Sequence, residues 1–492
     1  MSKHVTKLSR RKFLQSSAGI VAGSLTLSGG ILGKLYGKSK KPNVLLVFPD
    51  QMRAQAMGCM GNPDVITPNL DKLAEEGVLL ENTYANTPVC SPARACMLTG
   101  QFAHENGMVT NDLRLRESKT TLAEVLQDNG YRTGFVGKWH LDGGKKLPGF
   151  VPPGPRRQGY EYWAANICDH SHFDTQYFRD SPDPIPIKEF ETETWTDEAI
   201  RFLQSGDDRP FFLTLAVGPP HNPYKAPEMY QKMYNPDGIT MRPNWSGEDC
   251  GHGREEIANY YAMVTAIDDE FGRLMKELDR LGYADNTIVF FTSDHGDMLC
   301  SHGRVYKRQP WEESVKVPGI IRFPGRIQEN QITDLLFSHV DYAPTLLGLC
   351  DLEVPSAMQG QDLSRVILGE SDEKPHSVYF QIFGPCDWQD VPEGWRGVRT
   401  DRYKYARFKD GPWVLYDLQQ DPYEMNNLVG NPEYEAVEKQ MDDIVRDWMT
   451  KTGDSWEENW EYPFADNFEL SKHEKTFYTT EEYLRWKEQG GS

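Results

Sequence analysis

The sequence is poor in several features that would point to particular protein classes. Within its 492 residues it has no internal repeat, no low-complexity segment and no Cys-x-x-Cys pair among eight cysteines, so no disulfide framework is specified. Basic residues are also scarce, since 53 Lys and Arg face 73 Asp and Glu, a formal net charge of −20. An acidic chain argues against nucleic acid as the main partner, and an anionic substrate would need a local basic pocket.

Long apolar runs are missing as well, and the first 41 residues are predicted to be a targeting segment outside the fold. They hold nine Lys or Arg and no acid, and Ser9–Leu14 resembles the twin-arginine export motif. The stretch from Ser16 to Gly33 is too rich in Gly and Ser for a membrane span. It offers no clear A-x-A cleavage site, which leaves an uncleaved anchor open. We expect the twin-arginine translocase to export the chain to the periplasm or beyond.

The rest of the chain alternates buried strands with helices, which predicts an α/β fold with a large, mostly parallel sheet between helices. A polar stretch near residues 370–376 is followed by strand-like runs that predict a smaller antiparallel subdomain. We expect a main domain at 42–375, this subdomain at 376–452 and a tail at 453–492. The predicted strands are Asn43–Phe48, Gly134–Val136, Phe211–Val217, Thr287–Thr292, Ser377–Ile382 and Tyr403–Phe408; the predicted helices include Leu70–Glu76, Leu122–Asn129 and Glu255–Leu281.

Polar side chains follow four of these strands, and they are expected to converge at one edge of the sheet. The oxygen-rich candidates for a metal are Asp50, Gln51, Asp294 and His295, from two strand ends far apart in sequence. Carboxylates and an amide suit a hard divalent cation, Ca²⁺ first and Mg²⁺ second. The histidine nitrogen leaves some room for Mn²⁺ or Zn²⁺.

Residues 90–100, CSPARACMLTG, are the most informative stretch of the chain. Pro92 suits a first helical position with Ser91 as N-cap, so a short helix is expected over 93–99, with Cys90 just before its N-terminus. Free N–H groups and the helix dipole favour an anion there, and Arg94 adds a fixed cation.

This stretch has the form C-x-P-x-R followed by L-T-G, and it resembles the signature of the type I sulfatases of the alkaline phosphatase superfamily. The resemblance covers residues 42 to about 430 and implies an alkaline-phosphatase-like fold. It also implies that a formylglycine-generating maturation enzyme oxidises Cys90 to formylglycine, so Cys90 should not be in a disulfide. The metal ligands implied are Asp50, Gln51, residue 90, Asp294 and His295.

Two further segments match the family's catalytic motifs. Gly137-Lys138-Trp139-His140 matches G-K-W-H, in which Lys138 would neutralise the sulfate and His140 would act as a base on the aldehyde hydrate. Pro220-His221-Asn222-Pro223 matches P-H-x-P, in which His221 would contact the sulfate ester. The leaving oxygen needs a proton or a cation, which either His221 or Lys307 would supply.

A third segment, residues 306–314, resembles the family's G-K-x-x-x-Y-E-E-S. Lys307 would hold the sulfate and the bridging oxygen, and Arg94 would offset charge on the equatorial oxygens. The sequence departs from the family at three positions, which leaves the metal and the loop shape less defined. It has Gln51 where the family commonly has Asp, Tyr306 for Gly and Trp311 for Tyr.

The resemblance therefore implies a sulfatase that hydrolyses sulfate esters, with a sulfated carbohydrate as the favoured substrate and a simple aryl sulfate equally compatible. The alternatives are a phosphonate or phosphate ester hydrolase of the same superfamily and an inactive carbohydrate-binding homologue. Two residue groups invite a substrate role but also have ordinary structural explanations. They are a polar cluster, Asn166, Asp169, His170 and His172, and the tryptophans Trp195, Trp388 and Trp395.

Overall fold

The computed structural model describes residues 41–144, 147–247, 250–251 and 253–456, together with residues 482 and 485. The predicted export segment, apart from Lys41, and most of the predicted tail lie outside these residues. In the described part of the chain, no helix combines the length and the apolar character needed to cross a membrane.

The described strands form one large sheet, one four-stranded sheet and one short hairpin-like pair. The main sheet has the order β10-β2-β9-β8-β1-β7-β3-β4, and only β9 runs antiparallel to its neighbours. In chain order the strands are β1 (Asn43–Pro49), β2 (Val78–Tyr84), β3 (Arg132–Lys138), β4 (Tyr162–Asn166), β5 (Thr175–Tyr177), β6 (Ile185–Ile187), β7 (Phe211–Val217), β8 (Thr287–Phe291), β9 (Ile320–Arg322), β10 (Gln331–Ser338), β11 (Val378–Ile382), β12 (Trp395–Arg399), β13 (Tyr403–Phe408) and β14 (Gly411–Asp417).

Helices cover both faces of the main sheet, which explains why its central strands are continuous apolar runs. In β1, Leu46 and Phe48 enter the core on one face, while Leu45 and Val47 enter the core on the other. The α-helices of the described residues are Pro68–Glu75, Cys90–Thr99, Ala103–Asn106, Leu122–Asp128, Glu191–Gln204, Glu228–Gln231, Arg254–Arg280, Glu312–Val315, His339–Leu349, Ser364–Ile367 and Glu435–Thr452. The α/β architecture predicted from the sequence is confirmed.

The smaller sheet, β11 to β14, is antiparallel throughout, as predicted. Its residues share a hydrophobic cluster with the main sheet region, where Phe380 and Trp395 pack with Tyr84 and Met298. The two sheets are therefore joined by a common core and not by a flexible linker alone.

A glycine is required where β3 approaches β7. Gly137 has a φ of 109°, and a Cβ at this position would lie 1.9 Å from the carbonyl oxygen of Ala216. The close approach keeps β3 paired with β7 up to Gly137, the residue before Lys138. Gly137 thereby fixes the position from which the Lys138 side chain leaves the sheet.

Candidate active site

Four neighbouring parallel strands end at the same edge of the main sheet. The strands β8, β1, β7 and β3 are adjacent in that order. Asp50 follows β1, Lys138 ends β3, His221 lies beyond β7 and Asp294 lies beyond β8. The convergence expected from the sequence is confirmed, because parallel neighbours must present their carboxyl ends on one side.

Cys90 lies at the centre of this edge and is only 1% exposed. Its Sγ atom is 3.1 Å from Lys307 Nζ, 3.2 Å from His295 Nε2 and 3.7 Å from Asp50 Oδ1. Burial opposes ionisation of the thiol, but the nearby lysines and His295 hold the pKa of Cys90 well below its ordinary value. The site therefore favours an anionic group at residue 90.

The helix that carries Cys90 differs from the prediction at its start. It begins at Cys90 itself, Val89 is the N-cap residue, and Ser91 is not the cap. The backbone N–H of Ser91 donates instead to the side chain of Asn111 at 3.0 Å, so an external amide satisfies a first-turn donor. Pro92 remains within the first turn, where its missing N–H costs nothing.

Two carboxylates, an imidazole and the thiol form a compact donor set. One ligand atom each from Asp50, Cys90, Asp294 and His295 lie within 4.8 Å of one another, and all four residues are buried. His295 Nε2 is 3.4 Å from Asp50 Oδ1 and 3.6 Å from Asp294 Oδ1. Oxygen donors predominate among the non-sulfur ligands, so the set fits a hard divalent cation better than a soft one.

Gln51 lies beside this set in a left-handed backbone conformation, with a φ of 71°. Its Nε2 donates to Asp297 at 2.7 Å, and its Oε1 accepts from Lys307 at 2.9 Å. Asp297 thus orients the amide so that the carbonyl oxygen faces the donor set. Asp297 itself, which also accepts a hydrogen bond from Tyr224, was not predicted as a site residue.

Two predicted cations, Arg94 and Lys138, pair with the carboxylates. Arg94 donates to Asp294 from Nε at 3.0 Å and from Nη2 at 2.9 Å, and Lys138 Nζ lies 2.5 Å from Asp50. Burial would raise the pKa of Asp50, but Lys138 and the other nearby cations hold it well below the ordinary value. Burial raises the pKa of Asp294. These pairs compensate much of the buried negative charge.

The pKa values of the two predicted catalytic histidines shift in opposite directions. His221 Nε2 lies 3.1 Å from Lys307 Nζ, and burial together with Lys307 holds the pKa of His221 well below its usual range. Burial by itself would lower the pKa of His140, but Cys168 and Asp112 raise the pKa of this residue to about 10. His221 is therefore the acceptor and His140 the proton-bearing group in this state of the site.

The structure brings only some members of the predicted polar cluster, Asn166, Asp169, His170 and His172, to the site. His170 stacks on His221 with ring centroids 4.0 Å apart, and His172 Nε2 lies 2.6 Å from the carbonyl oxygen of His221. Asp169 instead accepts a hydrogen bond from Ser171 within its own loop. Two of the four residues therefore reach the site, and both contact His221.

Two acidic side chains that belong to no recognisable motif contact histidines of the site. Glu191 Oε1 is 2.7 Å from His172 Nδ1, and Asp112 Oδ1 is 3.2 Å from His140 Nε2. Neither residue was predicted from the sequence, because each lies in a segment with no catalytic pattern.

The predicted tryptophans and cysteines also separate into two groups. Trp195 and Trp395 are fully buried and cannot stack on a sugar, whereas Trp388 is 64% exposed. Cys250 and Cys300 form a disulfide with Cα atoms 5.8 Å apart, which the cysteine spacing did not specify. Cys90 is a free cysteine, as expected.

Comparison with known proteins matches this chain to sulfatases. The profile of the family described as Sulfatase matches residues 42–352, and that of N-sulphoglucosamine sulphohydrolase, C-terminal, matches residues 300–451. An ulvan-active sulfatase of Formosa agariphila is 36% identical over 88% of this chain and 86% of its own length. An endo-4-O-sulfatase of Bacteroides thetaiotaomicron is 30% identical over 82% and 91%. A solved structure in complex with its substrate D-glucosamine-2-N,6-O-disulfate superposes with a TM-score of 0.77 at 27% identity, covering 85% of this chain and 99% of the other.

Proposed function

This chain belongs to the sulfatase family and is a sulfuric ester hydrolase, and we propose that its substrate is a sulfated carbohydrate. The single observation that carries the reaction is the buried Cys90, enclosed by Lys307, His295 and Asp50 at the convergent strand ends. Two relatives are named as an ulvan-active sulfatase and an endo-4-O-sulfatase, and a similar solved structure binds a disulfated glucosamine as its substrate. These similarities support a saccharide as the group that carries the sulfate ester.

We propose that a maturation enzyme oxidises Cys90 to formylglycine, whose hydrate supplies the nucleophile, and that Ca²⁺ lowers the pKa of this group when bound. Asp50, Asp294 and His295 would hold the cation, with residue 90 and the Gln51 carbonyl oxygen beside them. Oxygen donors favour Ca²⁺, while Mg²⁺ or Mn²⁺ would also suit this set.

The cations of the site have two kinds of partner. Arg94 and Lys138 contact the carboxylates of the site, whereas Lys307 contacts residue 90. Arg94 is fully engaged with Asp294 and Asp50, so it fixes the carboxylates, and its charge also offsets developing charge on the sulfate. Lys138 has the same relation to Asp50. Lys307 alone among these cations touches Cys90 Sγ, so it lies where it would contact the sulfate and the bridging oxygen.

Proton transfer is assigned from the contacts of the two histidines. The pKa of His221 lies well below its usual range, so its ring accepts a hydrogen bond, and Lys307 Nζ lies 3.1 Å away; this pair would deliver a proton to the leaving oxygen. His140, held by Asp112 at 3.2 Å, would first release its own proton to solvent and then take the proton of the remaining hydroxyl of residue 90 when sulfate departs, which its raised pKa favours. The sequence left open whether His221 or Lys307 serves the leaving oxygen, and this proposal uses the two residues together.

His172 and Glu191 are proposed to position His221, and this gives a first prediction. Glu191→Gln is expected to lower kcat about tenfold, since supporting hydrogen bonds typically contribute effects of this size, while KM changes less. Steady-state kinetics on 4-nitrophenyl sulfate measure it. Glu193→Gln, an exposed position on the same helix, is the control. An unchanged kcat in Glu191→Gln contradicts the positioning role.

The reaction class is tested by comparing 4-nitrophenyl sulfate with 4-nitrophenyl phosphate at matched concentrations. The proposal expects a higher kcat/KM for the sulfate. Preference for the phosphate would indicate the phosphate or phosphonate ester hydrolase instead. No turnover, combined with an unmodified thiol at residue 90, would indicate a carbohydrate-binding homologue.

Export is a separate proposal that rests on the sequence of residues 1–41 alone. We propose that the twin-arginine translocase recognises Ser9–Leu14 and that the protein works in the periplasm or is secreted, with or without its anchor. Changing Arg10 and Arg11 together to Lys is expected to retain the protein in the cytoplasm, and cell fractionation measures this. Lys7→Arg is the control. Normal export of the double variant argues against this route.

A further inference from the structure

The segment Tyr306–Arg308 crosses the site in an unusual backbone conformation. Tyr306 and Arg308 have φ values of 62° and 70°, and Lys307 lies between them with its Nζ at Cys90. Left-handed conformations are rare for residues with a side chain and need support from the surroundings. Here the Arg308 carbonyl accepts a hydrogen bond from Trp395 Nε1 at 2.9 Å, and its N–H donates to Pro88 at 3.3 Å.

The guanidinium of Arg308 is not paired with any residue that the structure describes. It makes no side-chain hydrogen bond and no ion pair with them, although it is only partly exposed. Arg304 on the same loop pairs with Asp390, and Arg94 pairs with Asp294. The Arg308 nitrogens are not among the fully buried ones, so its five N–H donors are accessible to a ligand that supplies acceptors.

Arg308 lies on the loop beside the nucleophile. It directly follows Lys307, whose Nζ is 3.1 Å from Cys90 Sγ, and its backbone N–H donates to the carbonyl oxygen of Pro88, two residues before Cys90. Burial lowers the pKa of Arg308, and the nearest charge partners that oppose this shift are Cys386 first and Cys90 second. The loop therefore holds, close to residue 90, a guanidinium that makes no ion pair with the described residues.

An aromatic pair includes a residue of the same loop. The exposed Trp388 packs against Tyr306, with ring centroids 5.7 Å apart, and Tyr306 is two residues from Arg308. An exposed aromatic face can pack on the apolar face of a sugar ring. The loop that carries Lys307 thus presents aromatic and cationic groups within three consecutive residues.

We propose that Arg308 binds a second oxyanion of the substrate, a carboxylate or a further sulfate ester carried by the same saccharide near the scissile sulfate. The inference rests on the proposed function and narrows the substrate class to saccharides that carry two negative groups. A planar guanidinium binds either oxyanion through two parallel hydrogen bonds, which a neutral hydroxyl cannot match.

The test measures kcat/KM for the wild type and Arg308→Gln on four probes. They are 4-nitrophenyl sulfate, a sulfated disaccharide with a free uronate carboxylate, its methyl ester, and a disulfated disaccharide without a carboxylate. The wild type is expected to prefer one dianionic probe over the methyl ester. Arg308→Gln is expected to reduce that preference by about 10- to 100-fold, the range for a hydrogen-bonded charged group. The probe that loses most identifies the carboxylate or the second sulfate.

Arg304→Gln is the matched control, because its guanidinium is already paired with Asp390, and it should keep the wild-type preference. Equal losses on all probes in Arg308→Gln would overturn the inference, as would a wild type that treats the ester and the free acid alike. Binding of the same disaccharides by Cys90→Ala and by Cys90→Ala/Arg308→Gln, measured by calorimetry, decides the question without turnover. A failed sulfatase function would appear separately, as an inert wild type towards every sulfate ester.

Discussion

Cys90→Ala is expected to abolish sulfate ester hydrolysis, with a loss of about 10⁴-fold or more, as for other nucleophile deletions. In the proposed mechanism this residue supplies the atom that attacks sulfur, and no other side chain of the described residues has the same three contacts to Lys307, His295 and Asp50. Initial rates on 4-nitrophenyl sulfate measure the effect. Mass spectrometry of the peptide that carries residue 90 should show the aldehyde in wild-type material.

Cys96→Ala is the matched control for this result. Cys96 lies on the same helix, is equally buried and has a pKa that burial raises to about 12, so it is an inert thiol. The control should retain activity within a fewfold, and both variants should unfold at similar urea concentrations. Full activity in Cys90→Ala would contradict the mechanism, whatever the control shows.

Removal of the divalent cation is expected to lower kcat at least about 1000-fold, since charge stabilisation by a metal is worth several kcal/mol. It should also lower Tm, because a ligand that binds only the folded state stabilises it. Treatment with a chelator followed by addition of Ca²⁺, Mg²⁺ or Mn²⁺ measures both quantities. The greatest recovery is expected with Ca²⁺.

The location of the cation is tested with Asp294→Asn, which keeps the shape of the side chain and removes its charge. This variant should hold less metal by elemental analysis and should lose most of the Ca²⁺-dependent rise in Tm. Asp268→Asn is the control, since Asp268 is a buried carboxylate that bonds Asn69 and Leu70 away from the site. Equal metal content in wild type and Asp294→Asn would place the cation elsewhere.

Much of the site was predictable because it lies at strand ends. A buried apolar run followed by Asp50 or Asp294 predicts a strand that ends in a polar residue. Because neighbouring parallel strands end at the same edge of a sheet, such residues come together there. The order of β8, β1, β7 and β3 in the sheet is not written in the local sequence, yet any order that keeps these strands adjacent gives the same cluster.

The rest depends on contacts between distant segments, for which a single sequence has no local signal. Glu191 reaches His172 from the N-terminus of a helix, and Asp297 reaches Gln51 across the gap between two strands. The start of the helix at Cys90 was mispredicted for a related reason. Local propensity favoured Ser91 as a cap, but Asn111 from a later segment satisfies the same backbone.

The loop that carries Lys307 is hydrogen-bonded to the small domain. This domain therefore contributes to the shape of the active site. Trp395 Nε1 donates to the Arg308 carbonyl oxygen, and Gln309 Nε2 donates to the Gln389 carbonyl oxygen. A chain shortened to the predicted main domain would retain every predicted ligand and catalytic side chain in its sequence. It would nevertheless lack the residues of the small domain that hydrogen-bond to this loop. We therefore expect the small domain to hold Lys307 in position beside Cys90.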